Sequence, residues 1–270
     1  MSIEFVEIDW RGRRVCIEYQ WIDFERADAP IVVFLHEGLG SLSMWKDWPQ
    51  RLCSALGWRG LIYSRPGYGR STPRHSDERW GVDFMHQQAL EVLPAFLEAL
   101  EVDTSRDRLI LVGHSDGGSI ALLHAAHCSN GVAAAVVLAP HIMVEAIALA
   151  SIEKARLAYL ATDLRQRLAR HHDDPDSAFW GWNQIWLDDA FKTWSIEHEI
   201  NTISCPLLAV QGLDDEYGTL LQIREISRRV HQTRLLEMPD CRHSPHIDQG
   251  PALIEAVVDF LRTTSSKTHS

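Results

Sequence analysis

Ser115 lies in the sequence Gly-His-Ser-Asp-Gly (residues 113–117), which follows an apolar run and precedes an alanine-rich stretch with helical character. Between a buried strand and a helix, Gly-x-Ser-x-Gly is typical of a sharp turn that holds a serine exposed at the end of the strand. The two glycines let strand and helix approach where a Cβ would clash. The pattern predicts that Ser115 is a nucleophile.

A serine hydroxyl becomes a good nucleophile only when a base accepts its proton and a third group orients that base. An acid and a histidine occur later in the chain, each directly after a predicted strand. Asp214 and Asp215 follow the apolar run at residues 206–210, and His243 follows the run at 234–238. The order predicts a Ser-His-Asp set in which either aspartate is the acid.

The elements that must position these groups alternate between short apolar runs and helical patterns. Such alternation indicates βαβ units, and therefore an α/β fold with a mostly parallel sheet flanked by helices. The expected strands cover residues 31–35, 60–64, 109–112, 133–138, 206–210 and 234–238, after an N-terminal hairpin at 3–10 and 13–21. The expected helices cover residues 44–56, 83–101, 118–128, 219–230 and 251–261, with an irregularity at Pro94.

The alternation stops near residue 141 and resumes near residue 205. Residues 142–204 are helical in pattern, charged and aromatic, and contain no strand-like run. This predicts a core domain made of residues 1–141 and 205–270, with a helical cap at 142–204 inserted between two sheet strands.

Over residues 3–262 the chain resembles the capped serine hydrolases of the α/β-hydrolase-fold superfamily. The resemblance is carried by His-Glu-Gly-Leu-Gly-Ser (36–41), Arg-Pro-Gly-Tyr-Gly-Arg-Ser (65–71), Gly-His-Ser-Asp-Gly (113–117), Gly-Leu-Asp-Asp (212–215) and His243. It implies Ser115 as nucleophile, His243 as base and Asp215 as acid, because the family places the acid three positions after the glycine. It also implies an oxyanion hole formed by the backbone N–H groups of Gly38 and Asp116.

Glu37 occupies a position where these relatives usually have glycine. Glu37 and Asp116 thus place two carboxylates beside the point where negative charge develops during acyl transfer. In one interpretation both point away and bond to arginines or backbone N–H groups. In the other, one of them binds a cationic group of the substrate, such as the amine of an amino ester. Some amine-selective ester hydrolases of this fold resemble the chain in having Ser-Asp-Gly-Gly.

Aromatic side chains crowd into the predicted cap at Trp180, Trp182, Trp186 and Trp194, with Phe179 and Phe191 beside them. They either anchor the cap to the core or line an apolar pocket over Ser115. The candidate pocket residues are Glu37, Trp180, Trp182 and Trp186. The polar run at residues 171–176 is interpreted as a solvated loop between cap helices.

Composition limits the possible partners. A net charge of −11 argues against binding to nucleic acid or to an anionic membrane surface.

Five scattered cysteines without Cys-x-x-Cys spacing indicate a reducing compartment, and the first residues lack a secretion signal, so we expect a cytoplasmic protein. The pairs His243/His246 and His124/His127 have no accompanying ligand cluster, so we expect no metal, and no cofactor.

These features favour the hydrolysis of a small carboxylic ester through an acyl-enzyme. The same three residues can also cleave a thioester, or the carbon–carbon bond of an aromatic ring-fission product, and their spacing does not separate these reactions. A third hypothesis, from another class, is a non-catalytic small-molecule receptor on this fold. The expected partner is a small molecule in each case, and the oligomeric state stays open.

Overall fold

The computed structural model describes residues 2–128 and 131–267. Residues 1, 129–130 and 268–270, which the predicted core domain includes, lie outside the described residues. The described strands form one eight-stranded sheet in the order β1-β2-β4-β3-β5-β6-β7-β8. Their bounds are β1 Glu4–Trp10, β2 Arg13–Ile22, β3 Ile31–Leu35, β4 Arg59–Tyr63, β5 Leu109–His114, β6 Val132–Leu138, β7 Leu207–Gly212 and β8 Thr233–Met238.

Every strand pair from β4 to β8 is parallel, whereas β1 and β2 pair antiparallel with each other and β2 pairs antiparallel with β4. The prediction of a mostly parallel sheet with an N-terminal hairpin is therefore confirmed. The central strands β3 and β5 are buried along their whole length. Such continuous burial is the reason that they read as unbroken apolar runs.

The helices pack against both faces of the sheet and form two separate apolar clusters with it. They are α1 Trp48–Leu56, α2 Phe84–Gln87, α3 Leu93–Ala99, α4 Asp116–His127, α5 Ala146–Ala161, α6 Leu164–Leu168, α7 Pro175–Trp186, α8 Leu221–Arg229, α9 Pro245–Asp248 and α10 Gly250–Lys267. Between α2 and α3 the chain is π-helical over Gln88–Val92. This irregularity ends two residues before Pro94, which has no N–H to donate to the preceding turn.

Residues 142–204, here called the helical segment, connect β6 to β7. They contain α5, α6 and α7 together with 3₁₀ turns at Asp189–Thr193 and Glu199–Thr202. Among the described residues, the β pairing of this segment is limited to one isolated bridge between Met143 and Ser195. Their division from the rest of the chain as a separate cap domain stays a prediction. Within the described ranges, no helix has the length and apolar character needed to cross a bilayer.

Candidate active site

Ser115 lies at the turn between β5 and α4 with a φ of +52°. This left-handed conformation is costly for a residue with a side chain, so the surrounding packing must hold it. A Cβ at Gly113 would collide with the carbonyl group of Gly117, and a Cβ at Gly117 would collide with the main chain of Leu35 and His36. Glycine at both positions therefore permits the close strand–helix approach that fixes the serine.

The structure brings Ser115, His243 and Asp215 together from three separate loops. The Ser115 Oγ lies 3.0 Å from His243 Nε2. On the other side of the imidazole, Nδ1 lies 2.9 and 3.0 Å from the two carboxylate oxygens of Asp215. Because a carboxylate only accepts, Nδ1 donates to Asp215 and leaves the lone pair of Nε2 directed at the serine hydroxyl.

Asp215 and Asp214 differ sharply in their surroundings. The Asp215 side chain is 1% exposed and also accepts hydrogen bonds from Gln211 Nε2, Tyr217 N and Gly218 N. Burial opposes ionisation, but the hydrogen bonds from His243 and from the Tyr217 backbone N–H bring the pKa of Asp215 below its usual value. Asp214 is exposed. Of the two aspartates that the sequence offered, Asp215 is the one in contact with the histidine.

The two expected oxyanion-hole residues, Gly38 and Asp116, both line the space beside Ser115. Asp116 is the first residue of α4, where backbone N–H groups have no partner within the helix. The turn that carries Gly38 is held through the Glu37 carbonyl, which accepts from His36 Nδ1 at 2.8 Å and from Arg65 Nη2 at 2.9 Å. His36 Nε2 in turn accepts from the Arg65 backbone N–H. Burial, reinforced by Arg65, depresses the pKa of His36, so a neutral ring fills both roles.

Glu37 and Asp116 both line the candidate site, and the side chain of Asp116 is fully buried beside it. Asp116 Oδ1 accepts from the indole Nε1 of Trp186 at 3.2 Å, and its buried Oδ2 has no hydrogen-bond partner among the described residues. Burial raises the pKa of Asp116 to about 6, although nearby Arg65 opposes the rise. Glu37 Oε2 lies 3.4 Å from His114 Nδ1. The partners described for these carboxylates are thus an indole and an imidazole, and which interpretation of their role holds stays a prediction.

A cavity of about 190 Å³ opens at Ser115. Of the three tryptophans that the sequence offered as pocket residues, Trp182 and Trp186 line this cavity and Trp180 does not. One helical turn separates Trp182 from Trp186, so they share a face of α7, whereas Trp180 lies about 200° away from Trp182 around the helix. Trp180 instead lines a separate surface groove together with Trp80. The lining of the cavity is Glu37, Gly38, Leu39, His114, Ser115, Asp116, His141, Ile152, Trp182, Trp186, Glu216, Tyr217, His243 and Ser244.

With this geometry established, comparison with known proteins identifies the family. A family model described as "Alpha/beta hydrolase family" matches residues 32–256. The chain belongs to the alpha/beta hydrolase family. None of the curated proteins is similar enough in sequence to match it.

Solved structures of other hydrolases share the fold. An esterase from Thermogutta terrifontis aligns with a TM-score of 0.71 at 16% identity, covering 98% of this chain and 99% of its own. The enol-lactonase from Burkholderia xenovorans LB400 aligns at 0.74 and 22% identity, covering 96% and 100%. A meta-cleavage product hydrolase from Pseudomonas fluorescens IP01 aligns at 0.69 and 20%, covering 95% and 97%. At these identities the likeness shows the fold alone.

The sequence patterns did not identify Tyr217 and His141, whose rings lie near the His243 ring in this alpha/beta hydrolase. The Tyr217 ring lies 4.6 Å from the His243 ring, and the His141 ring lies 5.9 Å from it on another side. Burial lowers the pKa of His141 to about 3, so its ring is neutral. Their positions carried a signal, because Tyr217 follows Asp215 by two residues and His141 follows the carboxyl end of β6.

His172 is the main departure from the sequence-based description of the helical segment. The run at 171–176 was expected to be solvated, but His172 is 3% exposed. Its Nδ1 accepts from the Gly69 N–H at 2.9 Å, and its Nε2 donates to the Leu39 carbonyl at 3.1 Å. The hydrolase thus uses this histidine to join the helical segment to the loop beside Gly38.

Proposed function

We propose that the protein is a serine hydrolase that cleaves small carboxylic esters. The observation that carries the proposal is the series of hydrogen-bond contacts from Ser115 through the partly buried His243 to Asp215, with distances of 3.0 Å and 2.9 Å. A serine at this turn suits acyl transfer, because it forms a covalent acyl-enzyme that water then hydrolyses.

The proposed reaction begins when His243 Nε2 takes the Ser115 proton and Oγ bonds to the acyl carbon. The backbone N–H groups of Gly38 and Asp116 stabilise the oxyanion, and Asp215 stabilises the imidazolium. The ester C–O bond then breaks, and the alkoxide leaves with the proton from His243. A water molecule, deprotonated by His243, attacks the acyl carbon and releases the carboxylic acid and free Ser115.

The size and charge of the cavity favour particular acyl groups. About 190 Å³ is below the range of roughly 300–1,000 Å³ that holds drug-sized ligands, so the substrate is small. Trp182 and Trp186 offer apolar surface, whereas Glu37 and Asp116 disfavour an anionic substituent. We therefore propose neutral or amine-bearing acyl groups, with the buried carboxylate of Asp116, whose Oδ2 accepts no hydrogen bond from the described residues, as the charge that attracts an ammonium group.

The same charges weigh against one alternative, the cleavage of acidic ring-fission products, because a substrate carboxylate would lie close to these two side chains. Thioester hydrolysis uses the same groups and stays an alternative. A non-catalytic receptor is disfavoured by the intact contacts of Ser115.

The decisive experiment is labelling with a fluorophosphonate probe, followed by a panel of esters, thioesters and diketones, with Ser115→Ala as control. We expect stoichiometric labelling of Ser115, highest turnover on small esters, and loss of both in the variant. A protein that takes no label and turns over nothing on the panel is not a serine hydrolase of this class, and this outcome overturns the proposal and favours the receptor hypothesis.

Selectivity for amines is tested separately by comparing kcat/KM for an amino ester and its neutral isostere in wild type and Asp116→Asn. We expect the wild type to prefer the amine at pH 8, where Asp116 is ionised, and to lose the preference as the pH falls through about 6. Equal preference in both proteins at pH 8 rules out Asp116 as the amine acceptor.

A further inference from the structure

Arg65 is a buried cation beside the turn that carries Gly38, and the proposed reaction does not use it. It follows the end of β4 and is 1% exposed. Its Nη2 donates to the Glu37 carbonyl at 2.9 Å, whereas Nε and Nη1 have no hydrogen-bond partner among the described residues. The guanidinium carbon lies 4.9 Å from the centre of the Tyr68 ring, over which it packs. The described hydrogen bonding of this side chain is therefore directed at one backbone carbonyl.

The Glu37 carbonyl and the Gly38 N–H belong to the same peptide unit. This unit is planar and trans, so its carbonyl and its N–H point in opposite directions. His36 Nδ1 also donates to the carbonyl, at 2.8 Å, so two donors hold one end of the unit. The Gly38 N–H donates no hydrogen bond to the described residues, and Gly38 lines the cavity at Ser115. The two bonds to the carbonyl thus fix the direction of an N–H that is free to bind a ligand.

The main chain of Arg65 determines which group the His36 ring offers to that carbonyl. The Arg65 backbone N–H donates to His36 Nε2 at 3.0 Å, so Nε2 is the acceptor and the proton of the neutral ring lies on Nδ1. Burial, reinforced by the Arg65 charge, keeps the pKa of His36 well below its usual value. Both donors to the Glu37 carbonyl therefore depend on Arg65, one through its side chain and the other through its main chain.

We propose that Arg65 is a positioning residue that acts through the Glu37–Gly38 peptide unit to direct the Gly38 N–H at the oxyanion. The proposal rests on the proposed function, because it requires an oxyanion to form at Ser115. The competing explanation is that Arg65 only offsets the buried charge of Asp116. Burial raises the pKa of Asp116, and Arg65 opposes that rise. The two explanations differ in whether the effect of Arg65 requires an ionised Asp116.

Arg65→Met removes the guanidinium donor and its charge, and it leaves in place the backbone N–H that donates to His36. The substrate is a neutral small ester, and a trifluoromethyl ketone of the same acyl group is the inhibitor. Ser115 Oγ bonds to the ketone carbon, its proton passes to His243, and the former carbonyl oxygen becomes an oxyanion. Binding of this adduct therefore measures the oxyanion site directly, which a general change in packing would not affect in parallel with kcat.

We expect Arg65→Met to lower kcat by roughly ten- to hundredfold, because loss of a whole oxyanion donor costs about 10²–10³-fold and this donor is misdirected rather than removed. The inhibition constant of the ketone should rise by a similar factor. The KM of the ester should stay within about twofold, because the ground-state carbonyl gains less from these N–H groups than the oxyanion does.

An Asp116→Asn background separates positioning from charge compensation. It removes the negative charge and retains the backbone N–H of residue 116. If Arg65 directs the Gly38 N–H, Arg65→Met lowers kcat by the same factor in both backgrounds. If Arg65→Met alone fails to fold, the comparison of Asp116→Asn with the double variant still decides, because the double variant retains neither buried charge.

Arg59→Met is the matched control. Arg59 is 8% exposed, and its Nε donates to the Ala29 carbonyl at 3.0 Å. It is the first residue of β4, at the end of the strand opposite Arg65. The control variant therefore reports what the loss of a buried arginine does away from the site. We expect it to leave kcat and inhibition by the ketone unchanged.

Any of four results overturns the proposal: kcat or ketone inhibition that Arg65→Met leaves unchanged, a change confined to KM, a loss that disappears in the Asp116→Asn background, or an equal loss in Arg59→Met. A wild type that takes no fluorophosphonate label contradicts the proposed function instead, so the two failures are distinguishable.

Discussion

The indole Nε1 of Trp186 donates a hydrogen bond of 3.2 Å to Oδ1 of Asp116, and both side chains are buried. Trp186 ends α7 of the helical segment, and Asp116 directly follows Ser115. One hydrogen bond therefore joins the segment over the cavity to the residue whose N–H is assigned to the oxyanion. Among the described residues, the Asp116 carboxylate accepts no other hydrogen bond.

Replacement of Trp186 by phenylalanine removes this donor and retains an aromatic ring. We expect a loss of about 1–3 kcal/mol in the free energy of unfolding at pH 8, because a buried ionised carboxylate is left unpaired. At pH 5 Asp116 is protonated, so the loss should be smaller. Urea unfolding at the two pH values measures the difference. Trp180→Phe, outside the cavity, is the control, and an equal loss for Trp186→Phe at both pH values would contradict the assigned hydrogen bond.

Asp116→Asn should stabilise the protein at neutral and alkaline pH. The pKa of Asp116 rises from 3.8 to about 6 on folding, which corresponds to on the order of 3 kcal/mol. The folded state therefore binds the proton more tightly than the unfolded state, and the wild type loses stability as the pH rises between these values. Asparagine avoids that loss, so its Tm should exceed that of the wild type at pH 8 and match it near pH 4. Thermal melts across this range provide the test, and a Tm difference that is independent of pH would contradict it.

Asp215→Asn and Asp214→Asn form a matched pair of adjacent substitutions. An amide at position 215 no longer favours the tautomer with the proton on Nδ1, and in a serine hydrolase this costs roughly 10⁴-fold in kcat. Asp214 is exposed, so its substitution should leave kcat within about twofold, as surface changes usually do. Steady-state hydrolysis of one small ester compares the two variants. Similar losses in both would remove Asp215 from the role of acid.

Much of this arrangement was predictable from sequence because it depends on local rules. The runs that became β3 and β5 are buried on both faces, so they lack polar residues and stand out as strands. Glycine is required at positions 113 and 117 because the backbones of the strand and the helix approach each other closely there. The Gly-x-Ser-x-Gly motif indicates this approach in the sequence. Chain order then placed Asp215 and His243 after neighbouring strands, β7 and β8, whose carboxyl ends meet at one edge of the sheet.

The errors concern side chains whose partners come from distant parts of the chain. Sequence indicated that Trp180, Trp182 and Trp186 share a short stretch, but not which face of α7 meets the cavity. That choice depends on how the helix packs on the core. The donor to Asp116 is likewise 70 residues away, so no local pattern identifies it.

His172 offers the sharpest test of such a distant contact. Burial lowers the pKa of its imidazole to about 4, so the neutral ring accepts from Gly69 and donates to Leu39 above that pH. His172→Ala leaves two backbone groups unpaired, at roughly 1–3 kcal/mol each, and frees the loop beside Gly38. We expect lower kcat on a small ester together with reduced stability, both measured at pH 8.

The pH dependence separates this role from a general loss of packing. Because the folded pKa of His172 lies below its unfolded value of 6.5, the wild type should lose stability as the pH falls from about 6.5 through 4. His172→Ala should lack that part of the decline. His171→Ala is the neighbouring control, since that half-buried ring contacts Ser43 Oγ alone among the described hydrogen bonds. If the His172→Ala stability curve runs parallel to the wild type down to pH 4, the histidine does not hold these two backbone groups.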